Sequence, residues 1–359
     1  MTASLATAPL TAPLTAPLSE PAVAPTRRLP TPGELSRARP VSPELAACIA
    51  RQRQAIRGIL DGRDDRLLVV VGPCSVDDPA AALEYARRLA ELATQVEDRL
   101  LIVMRVYVEK PRTTVGWKGL AYDPDLDGRG DMARGIRLAR QLMHDIAELG
   151  LPVATELLQP MLAPYLDDLL AWVAIGARTT ESQLHRELAS GLEAVVGFKN
   201  ATNGDIGVAL DAISAAGHPH GHFGLDAEGR PTVHDTAGNR HTHLVLRGGH
   251  GEPNYQADHV SRARHALESA GLPPRLMVDC SHANARKDHR RQGEVLRDVL
   301  AQRLAGQTAL CGLMIESHLH EGKQPLVLGQ RRYGVSVTDA CLGWEATADL
   351  LLTAAQRLR

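Results

Sequence analysis

The sequence predicts an α/β fold, a (β/α)8 TIM barrel with an N-terminal extension, and three observations predict it. From Arg66 onward, eight short apolar runs rich in β-branched residues recur, separated by segments with helical spacing. Hydrophobic residues make up 44% of the chain but aromatics only 3%, so Val, Leu, Ile and Ala must fill the interior, as they do where short buried strands alternate with helices. The runner-up is a doubly wound open sheet, but neither G-x-G-x-x-G nor G-x-x-x-x-G-K-[ST] follows the first run.

Taken in order, residues 1–27 repeat TAPL three times between Thr7 and Leu18. Proline at every fourth position removes backbone donors and blocks helix continuation, so a disordered or polyproline-like tail is expected there. Residues 28–65 form a helical extension with a helix over Pro43–Leu60, and residues 66–359 form the barrel. Strands are expected at Leu67–Val71, Leu101–Tyr107, Pro152–Thr155, Trp172–Ile175, Val195–Phe198, His243–Leu246, Arg275–Val278 and Leu310–Ile315. Helices are expected at Pro79–Glu97, Asp131–Leu149, Glu181–Ser190, Gly204–Ala216, Ala257–Ala270 and Asp288–Leu304.

A formal net charge of -2 supplies no long-range field for nucleic acid or an anionic membrane, so neither is expected as a partner. The five cysteines, Cys48, Cys74, Cys280, Cys311 and Cys341, show no paired short spacing, which fits a reducing cytoplasm rather than a disulfide framework. No apolar run reaches the roughly 18 residues of a membrane span, and the N-terminus lacks the order of a secretory signal.

In a parallel barrel the loops after the strands form the active face. After the eight runs come Cys74; Arg105 with Lys110 and Arg112; Glu156; Arg178; Lys199; Arg247; Asp279 with His282; and Glu316. Cys74, His282, Glu316 and Asp339 combine a thiolate, an imidazole and two carboxylates, a donor set suited to a borderline divalent ion such as Mn, Fe, Co or Zn. Singly, each has an ordinary reading: a small buried thiol, a satisfied histidine, or a helix cap. The cations Arg105, Lys110, Arg112, Arg178, Lys199 and Arg247 suit a small phosphorylated, carboxylated substrate. Surface solubility is the competing explanation, and it fits poorly where charges abut apolar strands. His218, His220, His222, His241 and His243 read as solvated turns rather than ligands.

The strings GPCS (Gly72–Ser75), MRVYVEKPRTTVGWKGL (Met104–Leu120), GARTTESQ (Gly176–Gln183) and HRELASG (His185–Gly191), with GFKN, LRGG, EPNY, SHAN, IESHL and TDACLGWE, resemble the type I 3-deoxy-7-phosphoheptulonate synthases from about residue 28 to 355. The resemblance implies condensation of phosphoenolpyruvate, erythrose 4-phosphate and water at the first step toward the aromatic amino acids. It places the metal ligands on Cys74, His282, Glu316 and Asp339. Phosphoenolpyruvate falls to Arg105, Lys110, Arg178, Lys199 and Arg247, and erythrose 4-phosphate to Pro111, Arg112 and Thr113, with Asp339 also facing substrate. Lys110, Glu156 and His282 are the expected catalytic residues, with Lys110 protonating the new alkoxide and Glu156 orienting water. A homodimer or homotetramer is expected. Glu193 and the stretch His218–Arg240 depart from the small hydroxyl and aromatic residues of phenylalanine-sensitive members, so altered or absent phenylalanine feedback is expected. Two alternatives stand beside this reading. One is a related enzyme condensing phosphoenolpyruvate with another aldose phosphate, which KPRTTVGWKG argues against. The other is an inactive barrel acting as a metabolite sensor, which the complete residue set argues against.

Overall fold

The first strand, β1 (Leu67–Gly72), is buried along its whole length, as a strand covered on both faces must be, and so it reads as an unbroken apolar run. A computed structural model describes residues 26–327 and 329–358 of the chain; of the tail expected over residues 1–27, all but the last two residues lie outside them. The remaining barrel strands are β2 (Leu100–Arg105), β3 (Val153–Glu156), β4 (Leu170–Ile175), β5 (Val195–Lys199), β8 (Thr242–Leu246), β9 (Leu276–Asp279) and β10 (Leu310–Glu316). They close in the order β1-β10-β9-β8-β5-β4-β3-β2, every pairing parallel. The expected TIM barrel is the observed one.

The N-terminal extension holds two helices, α1 (Pro32–Ala38) and α2 (Pro43–Leu60). A capping box between Thr31 and Glu34 starts α1, which the sequence reading missed because seven residues carry too little periodicity to register. Ile56, Ile59 and Leu60 of α2 pack with the inward residues Leu68, Val70, Leu101 and Val103, so this helix closes the end of the barrel where the strands begin. The opposite, C-terminal end is left for the site. The outer layer is α3 (Pro79–Val96), α4 (Met132–Glu148), α5 (Gln183–Gly191), α6 (Gly207–Ala216), α7 (Ala257–Ser269), α8 (Gln292–Leu304) and α9 (Trp344–Arg357).

Three local expectations need correction. The second strand ends at Arg105 rather than Tyr107, because its ladder to β3 runs only to Arg105. The helix expected from Asp288 begins at Gln292, preceded by a 3-10 turn over His289–Arg291. Of the histidines read as solvated turns, His218 is exposed at a bend just after α6, as expected, but others are placed differently. His222 and His234 face each other across a hairpin of β6 (Gly221–Leu225) and β7 (Pro231–Asp235), whose turn is held by Asp226 Oδ1 accepting from the Glu228 and Arg230 N–H groups. His241 is half-buried and pairs with Asp61. His243 lies on β8, 1% exposed, with Nε2 accepting from Trp172 Nε1 at 3.0 Å. Among the described residues, no helix is long and apolar enough to cross a membrane.

Candidate active site and metal centre

The site is assembled at the strand ends. Gly72 closes β1 where a Cβ would stand 2.6 Å from the Arg105 carbonyl oxygen, so only glycine lets the chain press against β2 before turning to Cys74. The donor atoms of Cys74, Glu316 and Asp339 all lie within 4.8 Å of one another. Cys74 Sγ is 3.5 Å from Asp339 Oδ2, and Lys110 Nζ donates to Cys74 Sγ at 2.7 Å and to Asp339 Oδ2 at 3.3 Å. His282, the fourth expected ligand, lies outside that radius but lines the same cavity. Its Nδ1 is 2.9 Å from Asp279 Oδ2, the carboxylate–imidazole arrangement that turns the other ring nitrogen toward a metal. The residues present therefore fit a divalent ion: mixed thiol, carboxylate and imidazole donors, two of them wholly buried.

The charges at the mouth are strongly coupled. Burial, with Glu316 adding to it, pushes the Cys74 thiol up to about 11 against the pull of Lys110. Burial works against the charge on Lys110, yet Cys74, Glu316 and Asp339 together override it and hold the ammonium protonated. Burial would also raise Asp339, but Lys110 and His282 bring its carboxyl down to about 2.

Not all the cations are free, as the sequence reading had supposed. Arg105 is 1% exposed and donates to Glu316 Oε1 at 2.8 Å, Cys74 O at 3.0 Å and Pro73 O at 2.9 Å, with its guanidinium over the Tyr107 ring. Lys199 donates to Asp279 Oδ2 at 2.8 Å. Arg112, Arg178 and Arg247 have no carboxylate partner among the described residues and face a cavity of about 260 Å³. Pro111, Thr113 and Glu156 line it as well. Glu156 packs so tightly under Gly176 that any Cβ there would overlap its carboxylate.

Sequence reasoning missed what holds Arg247. Its N–H donates to Asn200 Oδ1 at 2.8 Å, Asn254 Nδ2 donates to the same oxygen at 3.2 Å, and Asn254 N–H donates to Asn284 Oδ1 at 2.8 Å. The strings GFKN, EPNY and SHAN each supply one asparagine of this buried chain. Thr114 and Thr202 also line the cavity, and nothing in the sequence marked Thr202. A second grouping of possible ligands, His144, Asp145 and Glu148, already has its cation, because Arg39 bridges the two carboxylates.

A closed (β/α)8 barrel with a thiol–carboxylate–imidazole centre beside a basic cavity defines an enzyme class: a barrel enzyme that handles small anionic substrates on a divalent metal. The comparisons make it specific. Residues 42–352 match the model of the DAHP synthetase I family, and the chain belongs to that family. Its members use a divalent metal and act on phosphoenolpyruvate and erythrose 4-phosphate at the first step of aromatic amino acid biosynthesis. It is 53% identical over 325 residues to the Tyr-sensitive phospho-2-dehydro-3-deoxyheptonate aldolase of Salmonella typhimurium, covering 90% of this chain and 91% of that one. The Phe-sensitive enzyme of Escherichia coli is 53% identical over 313 residues, 87% of this chain and 89% of the other. A solved phospho-2-dehydro-3-deoxyheptonate aldolase from Francisella tularensis superposes with a TM-score of 0.91 at 44% identity, covering 94% of this chain and 99% of that one.

Proposed function

We propose that this chain condenses phosphoenolpyruvate with erythrose 4-phosphate and water, giving 3-deoxy-D-arabino-heptulosonate 7-phosphate and inorganic phosphate. The observation that carries the reading is the cluster of Cys74, Glu316 and Asp339 with Lys110 bonded into it, opening on a cavity with three arginines free to take anions. A divalent ion held by Cys74, His282, Glu316 and Asp339 would supply Lewis acidity toward the aldehyde oxygen.

The protein's own groups do the rest. Arg178 and Arg247, with Lys199 and Arg105 behind them, hold phosphoenolpyruvate, while Arg112, Pro111 and Thr113 hold erythrose 4-phosphate. Fixing both anions side by side offsets their repulsion and presents the methylene carbon to the aldehyde. Lys110, kept protonated by Cys74, Glu316 and Asp339 around it, gives its proton to the alkoxide formed by that attack. Glu156 orients water toward the enol carbon, and the resulting hemiketal phosphate expels phosphate.

Of the departures, Glu193 and the segments His222–Leu225 and His234–Arg240 line a second, larger cavity of about 730 Å³. There Glu193 pairs with Arg53 and the His222 and His234 rings lie 5.6 Å apart, charged and imidazole groups set among apolar side chains such as Leu188, Leu192 and Phe223, which supports altered or absent phenylalanine feedback. Exposed Phe223 and Val233 on the hairpin support a homodimer or homotetramer, and five unpaired thiols support a cytoplasmic setting.

The test is phosphate release from phosphoenolpyruvate with erythrose 4-phosphate and, separately, arabinose 5-phosphate. It is run after chelation and after return of Mn, Fe, Co or Zn. Turnover with erythrose 4-phosphate, lost on chelation and lost in Lys110→Met, is expected; preference for the pentose phosphate would overturn the reading.

A further inference from the structure

Of the four ligand candidates, Asp339 is the one the barrel does not fix. Cys74 and Glu316 are wholly buried at strand ends, whereas the Asp339 side chain is 61% exposed, on the long segment between β10 and α9. It lies 265 positions from Cys74 in the chain. Backbone bridges hold the segment on either side of it, Ser336 to Lys323, Cys341 to Gly322 and Leu342 to Ser317, so contacts made by the residues between must set Asp339 Oδ2 3.5 Å from the Cys74 sulfur.

Two contacts join the loops that carry these ligands. Ser75 and Thr338, each the immediate neighbour of a ligand, place Oγ and Oγ1 2.8 Å apart. Farther along, Arg331 Nη1 donates to Asp77 Oδ2 at 3.1 Å and to the Asp77 carbonyl at 3.3 Å, and the Asp77 side chain is only 5% exposed. The Asp339 segment is itself tied into one piece by buried Gln324. Its Nε2 donates to the Arg332 and Val335 carbonyls, both at 2.8 Å, and its Oε1 accepts from the Arg332 N–H at 2.7 Å. The Thr338 N–H in turn donates to Ser336 Oγ at 3.2 Å.

We propose that the Ser75–Thr338 hydroxyl pair and the Asp77–Arg331 ion pair form a double brace that presets the Cys74–Asp339 separation. These four are positioning residues for uptake of the divalent ion, and the inference rests on the metal reading given above. Folding then carries the cost of ordering the Asp339 loop, which would otherwise subtract from metal affinity. Outer-shell changes of this kind weaken metal binding by roughly 10- to 100-fold.

The experiment is titration of the metal-free full chain with Co2+, read by the thiolate-to-cobalt absorption that a Cys74–Co2+ bond produces. The unaltered chain should develop the band and saturate. Ser75→Ala and Thr338→Val should each raise Kd by roughly 10- to 100-fold. The double variant should be no weaker than the weaker single, because either change already breaks the same contact. Thr338→Ser retains the hydroxyl and should restore affinity, while Arg331→Met, which breaks the other arm, should add to Ser75→Ala. The brace is refuted if the single variants bind within about twofold of the unaltered chain, if the effects of Ser75→Ala and Thr338→Val multiply, or if Thr338→Ser binds as weakly as Thr338→Val. Absence of the band in the unaltered chain would remove the metal reading itself; a normal band with unmoved variants removes the brace alone.

Discussion

Acid should destabilise this barrel through one histidine inside it. His243 is wholly enclosed, donating Nδ1–H to the Leu244 carbonyl at 3.2 Å and accepting from Trp172 Nε1 at 3.0 Å. Burial therefore lowers its pKa from 6.5 to about 4. Below 6.5 the unfolded chain takes up a proton that the folded chain refuses, so the stability this neutral imidazole contributes is complete above 6.5 and is lost as pH falls to about 4. At about 1.36 kcal/mol per pH unit, the window is worth roughly 3 kcal/mol. His243→Gln offers an amide oxygen to Trp172 and an amide N–H to Leu244 without a titrating ring. Chemical denaturation of both proteins at pH 7, 6, 5 and 4 isolates the term, because every other ionisable group is common to the two. The unaltered protein should lose about 3 kcal/mol more than His243→Gln across the window. Parallel curves would refute the burial argument and restore the solvated histidine that the sequence alone suggested.

Three further outcomes follow from the same geometry. With the Cys74 thiol pushed up to about 11, metal uptake must displace its proton, so apparent affinity should tighten about tenfold per pH unit between pH 7 and 9, with about one proton released per ion; calorimetry in two buffers of different ionisation enthalpy reads both, and pH-independent uptake would contradict it. Arg178→Met and Arg247→Met remove cations with no carboxylate partner among the described residues, so each should leave the melting temperature in place and cost about 1.5–3 kcal/mol in kcat/KM for phosphoenolpyruvate, whereas Arg105→Met strands buried Glu316 and should cost about 3–5 kcal/mol in stability. Phenylalanine titrated to millimolar levels should leave initial rates unchanged, and strong inhibition would overturn the reading of Glu193 and His222.

Much of the barrel was legible because a strand buried on both faces must be continuously apolar, and Leu67–Val71 or Val195–Phe198 can be little else. The strand-end residues were legible for a related reason: a polar group that abruptly ends such a run sits at the barrel mouth. Elements that escaped lack that contrast. No strand residue of the hairpin around Phe223 is buried, so no burial pattern marks its strands. His243 escaped because a polar residue two positions from His241 looked like surface, and only the register with β5 and the indole of Trp172 show that it points inward.

The pairing of charges was the least accessible feature, and the barrel's own layering explains it. In strand order, β2 and β10 flank β1, and β5 and β9 flank β8. Inward side chains of a (β/α)8 barrel share layers with alternate strands rather than adjacent ones. Arg105 on β2 therefore meets Glu316 on β10, and Lys199 on β5 meets Asp279 on β9, each across one intervening strand. A residue-by-residue survey of strand ends sees six cations needing an anion; the layering assigns two of them to carboxylates of the fold, and Lys110 is taken by Cys74 and Asp339. What remains for substrate is the cations borne by loops, Arg112, Arg178 and Arg247, whose countercharge must come from outside.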